Sequence, residues 1–306
     1  MKYATRVNSF LRDKISVLEA VKRIASVEGV DYVDLNYPEH FKEFTPAQVK
    51  AEMDKYGLKL NAINMRFRDI YLNGEFGNAN AEISRKAVSL CKEAAKVCKE
   101  MNGAQIIVWL GFDGFDYSFQ MDYVKAWNQA VACFKEICDD TDLPISIEYK
   151  PYEERVHAMI DSFGTTMYML QAVNKKNLGV TLDFCHMLMK SENPAFAAAL
   201  LLEKGLLYNV HLNDGEGRTD DGLMVGSVNL WKSLEFMYYL KKYDFQGAIY
   251  FDTFPKREPA VEECASNIAM CRKLEEMVDK IGLAEMERVI SANSAIEVQK
   301  MYMKLL

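Results

Sequence analysis

The sequence predicts a single (β/α)8 barrel of the α/β class with an extra helix after it, and three observations carry that expectation. Short β-rich runs alternate with longer stretches of helical period along the chain. Eight strand candidates appear, each followed by a helical stretch, and no Pro/Gly/Ser-rich linker interrupts them. A length of 306 residues suggests about two domains at roughly 150 residues each, but an α/β barrel of about 250 residues is one domain. The expected boundaries are 1–282 for the barrel and 283–306 for a helical extension that caps its floor.

Taken in order, Tyr3 to Val7 reads as the first strand, with a helix around Asp13 to Glu28. Val30 to Asn36 is the second strand, and Thr45-Pro46 supplies an N-cap and first helical position after it. Leu58 to Asn64 is the third strand, and a long helical stretch covers roughly 79–101. Ala104 to Leu110 is strongly β-like, and Pro144 to Tyr149, Asn177 to Phe184, Leu207 to Asn213 and Gly247 to Phe251 repeat the pattern. Helical segments near 161–174, 194–204, 230–242 and 259–281 follow these last four, and Ala284 to Leu306 reads as one more helix.

Composition narrows the class. Hydrophobic residues at 50% and charged residues at 26% are ordinary for a soluble globular protein with a large core, which excludes disorder. A formal charge of −7, from 44 acids against 37 bases, argues against a nucleic-acid partner, which needs a basic face. The longest apolar run, Ala195 to Leu202, falls far short of the roughly 20 residues that span a bilayer, so no membrane partner is expected. The opening MKYATRVNSFLRDK has no continuous apolar segment of the secretory kind. The seven cysteines form no CxxC pair, and Cys91/Cys98 and Cys264/Cys271 have helical spacing that suits buried thiols. The expected location is the reducing cytoplasm.

Strand parity points to chemistry. Ile145, Ile147, Val180, Leu182, Val210, Leu212, Ile249 and Phe251 share one face of the last four strands. The other face carries Ser146, Glu148 and Lys150, then Thr181 and Asp183, then Asn209, His211 and Asn213, then Tyr250 and Asp252. Four successive strands thus aim a carboxylate or imidazole inward near their C-terminal ends. Three buried carboxylates repel one another in low dielectric, and a divalent cation at the centre removes that cost. Glu148, Asp183, His211 and Asp252 suit Mn2+, with Mg2+ or Co2+ as alternatives; thiolates are absent and no organic cofactor is expected. The plainer reading pairs these acids with Lys150 or Arg257 as barrel salt bridges. Four acids or imidazoles at equivalent positions favour the metal. His186, three residues after Asp183, suits a second metal or a substrate hydroxyl, while Lys150 suits a fixed cation that polarises a substrate oxygen. Gly215, Gly217 and Arg218 lie in a polar loop beside Asp214, Glu216, Asp220 and Asp221.

At these residues the sequence resembles the xylose isomerase-like superfamily of TIM barrels, and within it the L-rhamnose isomerase branch. The matching stretches are Glu148-Tyr149-Lys150-Pro151-Tyr152-Glu153, Asp183-Phe184-Cys185-His186, His211-Leu212-Asn213, Val225-Gly226-Ser227-Val228-Asn229 and Asp252-Thr253-Phe254-Pro255 with Arg257-Glu258-Pro259. Ile107-Val108-Trp109-Leu110 occupies the place of the family's strand-four tryptophan. The resemblance runs from Thr5 to about Ile281, specific in the second half and loose in the first. It implies that Glu148, Asp183, His211 and Asp252 bind a structural metal, and that His186 and Asp220 hold a second, catalytic one. It also implies that Lys150, Trp109, Asn36, Asn213 and Arg257 meet the substrate. Two stretches depart from the pattern. The family's catalytic-metal loop has two acids one residue apart, where this chain has Asp220-Asp221-Gly222, so that either Asp221 substitutes or the second metal binds weakly or not at all. The family's strand-two histidine is replaced by Asn36-Tyr37-Pro38, with His40 following.

The resemblance implies a metal-dependent aldose–ketose isomerase of unphosphorylated monosaccharides or close derivatives, in a homo-oligomer. A ketose 3-epimerase would use the same barrel with Glu148 and Asp252 as acid/base pair. The large subunit of a C-glycoside-cleaving lyase, a hetero-oligomer, would use one metal with His186 as base. A non-catalytic sugar-binding protein is the reading from another class. Metal content separates them: none for a binding module, one for lyase or epimerase, two for the isomerase. An apurinic endonuclease-like barrel is opposed by four histidines and a charge of −7.

Overall fold

The computed structural model describes residues 1–153 and 155–306, with Asp13 described by its backbone alone. Eight parallel strands close a barrel: β1 (Lys2–Arg6), β2 (Tyr32–Tyr37), β3 (Lys59–Met65), β4 (Gln105–Val108), β5 (Ile145–Glu148), β6 (Leu178–Asp183), β7 (Leu207–Leu212) and β8 (Ala248–Phe251). Each strand pairs with its neighbours in sequence, and the ring closes where β1 meets β8, from Lys2 opposite Ala248 to Thr5 opposite Phe251. This is the TIM barrel the alternation predicts.

Helices fill the crossovers: α1 (Val17–Ile24), α2 (Pro46–Lys55), α3 (Ala81–Glu100), α4 (Tyr123–Asp140), α5 (Phe163–Val173), α6 (Phe184–Met189), α7 (Pro194–Glu203), α8 (Leu230–Lys242) and α9 (Ala260–Ile281). Their starts are written locally. Thr45 accepts from the Gln48 N–H while the Gln48 side chain accepts from the Thr45 N–H, with Pro46 as first helical residue. Asn193 caps α7 in front of Pro194, and Asp183 caps α6 through the His186 N–H. The expected helix around 13–28 is shorter, because two 3-10 turns occupy 7–10 and 12–14 and Ser16 caps α1.

Alternation along the strands divides the interior into two regions. Val33, Leu35, Ile147, Val180, Leu182, Val210 and Ile249 pack outward with the helices in one buried apolar cluster. The inside of the barrel is polar. Asp34, Asn61, Gln105, Ser146, Thr181 and Asn209 are all buried there, tied by bonds such as Asn61 Nδ2 to Asp34 Oδ1 (2.8 Å) and Ser146 Oγ to Gln105 Oε1 (3.0 Å). Above the C-terminal ends of β4 and β5, residues 114–115, 152–153 and 156–158 form a small antiparallel sheet.

The C-terminal extension departs from the expected single helix. It forms α10 (Leu283–Ala292) and α11 (Ala295–Met303), because Asn293 takes a left-handed conformation (φ 46°) and Ser294 caps the next helix. It packs against α8. Glu287 pairs with Lys242 at one end of that helix (2.9 Å), and Tyr302 stacks on Trp231 at the other (3.9 Å between centroids). All seven cysteines are buried and free, and among the described residues no helix is long and apolar enough to cross a membrane.

Candidate functional site

The C-terminal ends of the strands surround a cavity of about 270 Å³ whose walls include Arg6, Arg66, Trp109, Lys150, His186 and Asp252. Glu148 ends β5, Asp183 ends β6, His211 lies on β7, and Asp252 follows β8. One ligand atom from each of these four lies within 4.8 Å of all the others, and all four residues are buried. His211 Nδ1 lies 3.2 Å from Glu148 Oε1, so the imidazole donates from that nitrogen, and Nε2 has no hydrogen-bond partner among the described residues.

The electrostatics follow from crowding. Burial alone would raise the Glu148 pKa, but the adjacent His211 and then His186 hold it down at about 2. Burial would lower the two histidines, yet the carboxylates, Glu148 beside His211 and Asp183 beside His186, push both up to about 9. Asp183, enclosed and close to Asp220, Asp252 and Glu148, is pushed up to about 7 by burial despite His186. A carboxylate cluster stabilised by borrowed protons is what a divalent cation replaces. Three hard oxygen donors with one imidazole, whose Nδ1 lies 3.2 Å from Glu148 Oε1 and 4.0 Å from Asp183 Oδ2, fit such an ion, which would take the place of the Nδ1 proton.

A second set shares Asp183. Donor atoms of Asp183, His186 and Asp220 also lie within 4.8 Å of one another. His186 Nδ1 faces the Tyr149 carbonyl oxygen at 2.9 Å, and since a carbonyl only accepts, that nitrogen carries a proton. Nε2 then faces Asp220 Oδ2 at 3.3 Å, while Asp220 Oδ1 is buried without a partner among the described residues. Lys150 donates to the same Asp220 oxygen at 3.0 Å and also pairs with Glu153.

The expected substrate contacts separate into three groups. Trp109 lines the cavity, and its ring meets two cations, Arg66 at 5.5 Å and Lys150 at 5.2 Å from the centroid. Asn36 and Asn213 are buried behind the wall as positioning residues. Asn36 donates to Glu39 (3.0 Å) and Asn8 (2.9 Å), and those two line the cavity. Asn213 Nδ2 donates to both Asp183 oxygens (3.3 and 3.2 Å) and to the Asp252 carbonyl (3.1 Å), while its Oδ1 accepts the Cys185 N–H (2.8 Å). Arg257 is exposed and lies outside the cavity wall; the guanidinium paired with Asp252 is that of Arg6, at 2.8 Å. The reason is closure of the ring, which sets β1 against β8.

The two departures from the family pattern have physical explanations. Asp221 turns into its own loop, accepting from Glu216 N (2.8 Å) and Thr219 Oγ1 (2.6 Å), so it does not supply the missing acid. Gly222 has φ +56°, and a Cβ there would sit 2.5 Å from the Phe254 ring. Phe254 fills that space and carries the Arg6 guanidinium 4.6 Å from its centroid. His40 is buried with Nδ1 accepting the Asn36 N–H (2.9 Å), which makes it a structural member of the Glu39 network.

Sequence reasoning missed Arg6, Glu39, Asn64 and Arg66, which all line the cavity. The signal for Arg6 was the same alternation applied to β1, since Ala4 pairs with Tyr250 inside the barrel and Arg6 is two residues on.

Residues 21–274 match the family described as xylose isomerase-like TIM barrel. The xylose isomerase of Thermus thermophilus is 23% identical over 264 residues, covering 81% of this chain and 68% of that protein. The xylose isomerase of Tetragenococcus halophilus is 29% identical over 134 residues, 41% of this chain and 31% of that protein. This chain thus spans about two thirds of the first relative and about a third of the second. Among solved structures, a D-tagatose 3-epimerase-like protein aligns with a TM-score of 0.73 at 18% identity, covering 91% of this chain and 98% of that one.

Proposed function

The chain belongs to the xylose isomerase-like TIM barrel family, and from that premise we propose that it is a divalent-metal-dependent isomerase interconverting an aldose and a ketose, with a monosaccharide or close derivative as substrate. The observation that carries this reading is the convergence of donors from Glu148, Asp183, His211 and Asp252, supplied by four successive strands within 4.8 Å of one another. These four would hold the ion, Mn2+ first with Mg2+ or Co2+ as alternatives, and Asp183, His186 and Asp220 would hold a second. When bound, the ion acts as a Lewis acid on adjacent sugar oxygens.

The chain's own residues do the rest. Lys150, held by Asp220 and Glu153, presents a fixed ammonium beside Trp109 and stabilises negative charge on a substrate oxygen. His186 keeps its Nδ1 proton on the Tyr149 carbonyl, so Nε2 is the nitrogen that would face the second ion or, where none is bound, exchange a proton. Asn213 fixes the Asp183 carboxylate, and Arg6 fixes that of Asp252. Glu148 and Asp252, from the two ends of the ligand arc, would accept and return the proton on carbon. That arrangement equally supports a second reading, a ketose 3-epimerase, in which the two acids work on either side of one carbon.

The test is a screen of aldoses and ketoses with Mn2+-loaded protein in heavy water, read by chromatography and NMR. An aldose–ketose pair as product supports the isomerase, and C3 inversion with deuterium at that carbon supports the epimerase. A protein that retains no ion and converts no sugar refutes both.

A further inference from the structure

We propose that the sugar accepted here is acidic, and that its anionic group, a carboxylate, is received by Arg66; this rests on the sugar-site reading above. Four cations line the cavity: Arg6, Arg66, Arg68 and Lys150. Two are spent on internal partners, Arg6 on Asp252 and Lys150 on Glu153 and Asp220. Arg66 and Arg68 have no carboxylate within ion-pair distance among the described residues. Glu39 in the same wall and Glu148 attract Arg66 electrostatically, but neither is within ion-pair distance of it, and Glu39 accepts instead from Asn36 and Asn8.

Arg66 is also the better prepared of the two. Arg68 is exposed, whereas Arg66 is half-buried with its guanidinium over the Trp109 face. A stacked guanidinium has lost much of its freedom and part of its water, and keeps its planar fork of N–H donors. Leaving such a group unpaired is unfavourable, and a ligand carboxylate that meets it with two parallel hydrogen bonds removes that cost. The acids lie on β5 to β8, while Arg66 directly follows β3 and Trp109 directly follows β4. A sugar bound at the metal ligands would thus reach Arg66 with its other end. At about 270 Å³, the cavity lies near the lower limit of roughly 300–1,000 Å³ for ligand pockets, which suits one sugar unit.

Calorimetric titration of the Mn2+-loaded full chain decides the matter, using D-glucose against D-glucuronate, D-galactose against D-galacturonate, and glucose 6-phosphate as the phosphate arm. The uronate of at least one pair is expected to bind about tenfold or more tighter than its neutral partner. Arg66→Gln should bring that ratio to within about threefold, and Arg66→Lys should keep part of it, because charge remains and the fork is lost. If Arg66→Gln does not fold, salt decides instead: wild-type uronate affinity should fall with ionic strength while that of the neutral sugar does not. Neutral sugars binding as tightly as uronates, or a preference that survives Arg66→Gln, overturns the inference and leaves the proposed function standing. A phosphate ester preferred over the uronates overturns the carboxylate assignment. Failure of every sugar to bind overturns the proposed function with it.

Discussion

Asn213 touches no wall of the cavity, yet its removal should weaken metal binding. Its single Nδ2 reaches both Asp183 oxygens at 3.2–3.3 Å, which makes one shared, rather long, charge-assisted hydrogen bond. Hydrogen bonds to charged groups contribute roughly 1.5–3 kcal/mol, and the length places this one near the lower end, about 1.5–2 kcal/mol. Asn213→Ala releases the carboxylate from its set orientation, so that energy is lost when the ion must order it again. At about 1.4 kcal/mol per decade, the Mn2+ dissociation constant should rise about 10- to 30-fold, within the range found for partners of metal ligands. The same substitution strands the Cys185 N–H, which donates to Asn213 Oδ1 at 2.8 Å, at a cost of about 1–3 kcal/mol. The metal-free protein should therefore also lose stability. The assays are Mn2+ titration by calorimetry and urea unfolding of the metal-free protein. An affinity within threefold of wild type, in a variant that keeps its fold, would refute the claim that Asn213 positions Asp183.

Other expectations follow from the same geometry. Glu148→Gln should lower Mn2+ affinity at least about 100-fold and abolish any isomer product while far-UV circular dichroism stays unchanged; full activity would sink the ligand assignment. Adding Mn2+ at about 100 times its dissociation constant should stabilise the fold by about 2.7 kcal/mol, reversed by EDTA and seen as a shift in unfolding temperature. Gly222→Ala should cost about 1–3 kcal/mol, because the residue has φ +56° and its Cβ would meet Phe254; an unchanged urea midpoint would contradict this. Glu75 and Asp113 are buried side by side, and burial first, then Asp113, pushes Glu75 well above its ordinary value. A raised carboxyl pKa costs nothing below the unfolded value and costs progressively more as pH rises towards the folded one. Glu75→Gln should thus raise the unfolding temperature more at pH 7.5 than at pH 5, and an equal change at both would refute it.

Much of the barrel was legible because β5, β6, β8 and, from Asn209 on, β7 obey simple alternation, with Ile147 beside Glu148 and Leu182 beside Asp183 falling on opposite faces. The same rule is harder to apply to β3. Pairing with β2 shifts between Val33 and Asp34, and both Asn61 and Asn64, three residues apart, reach Asp34. Arg6 was hidden for another reason. Its partner Asp252 is 246 residues away, and only closure of the ring brings them together. Arg257 looked like the natural cation because it is near Asp252 in sequence, but it lies beyond the turn on the outer surface. Division of the C-terminal extension depends on one left-handed residue, Asn293, within otherwise continuous helical period.

The Arg6–Asp252 pair sits on the seam of the ring and gives the site an order of assembly. Synthesis delivers β1 first and β8 last, so Arg6 waits without its partner while the intervening strands emerge. Glu148, Asp183 and His211 can gather earlier, but the fourth donor arrives only when the last strand docks against the first. A fully coordinated ion would then report a closed barrel, and the seam is where hydrogen exchange should first register its loss.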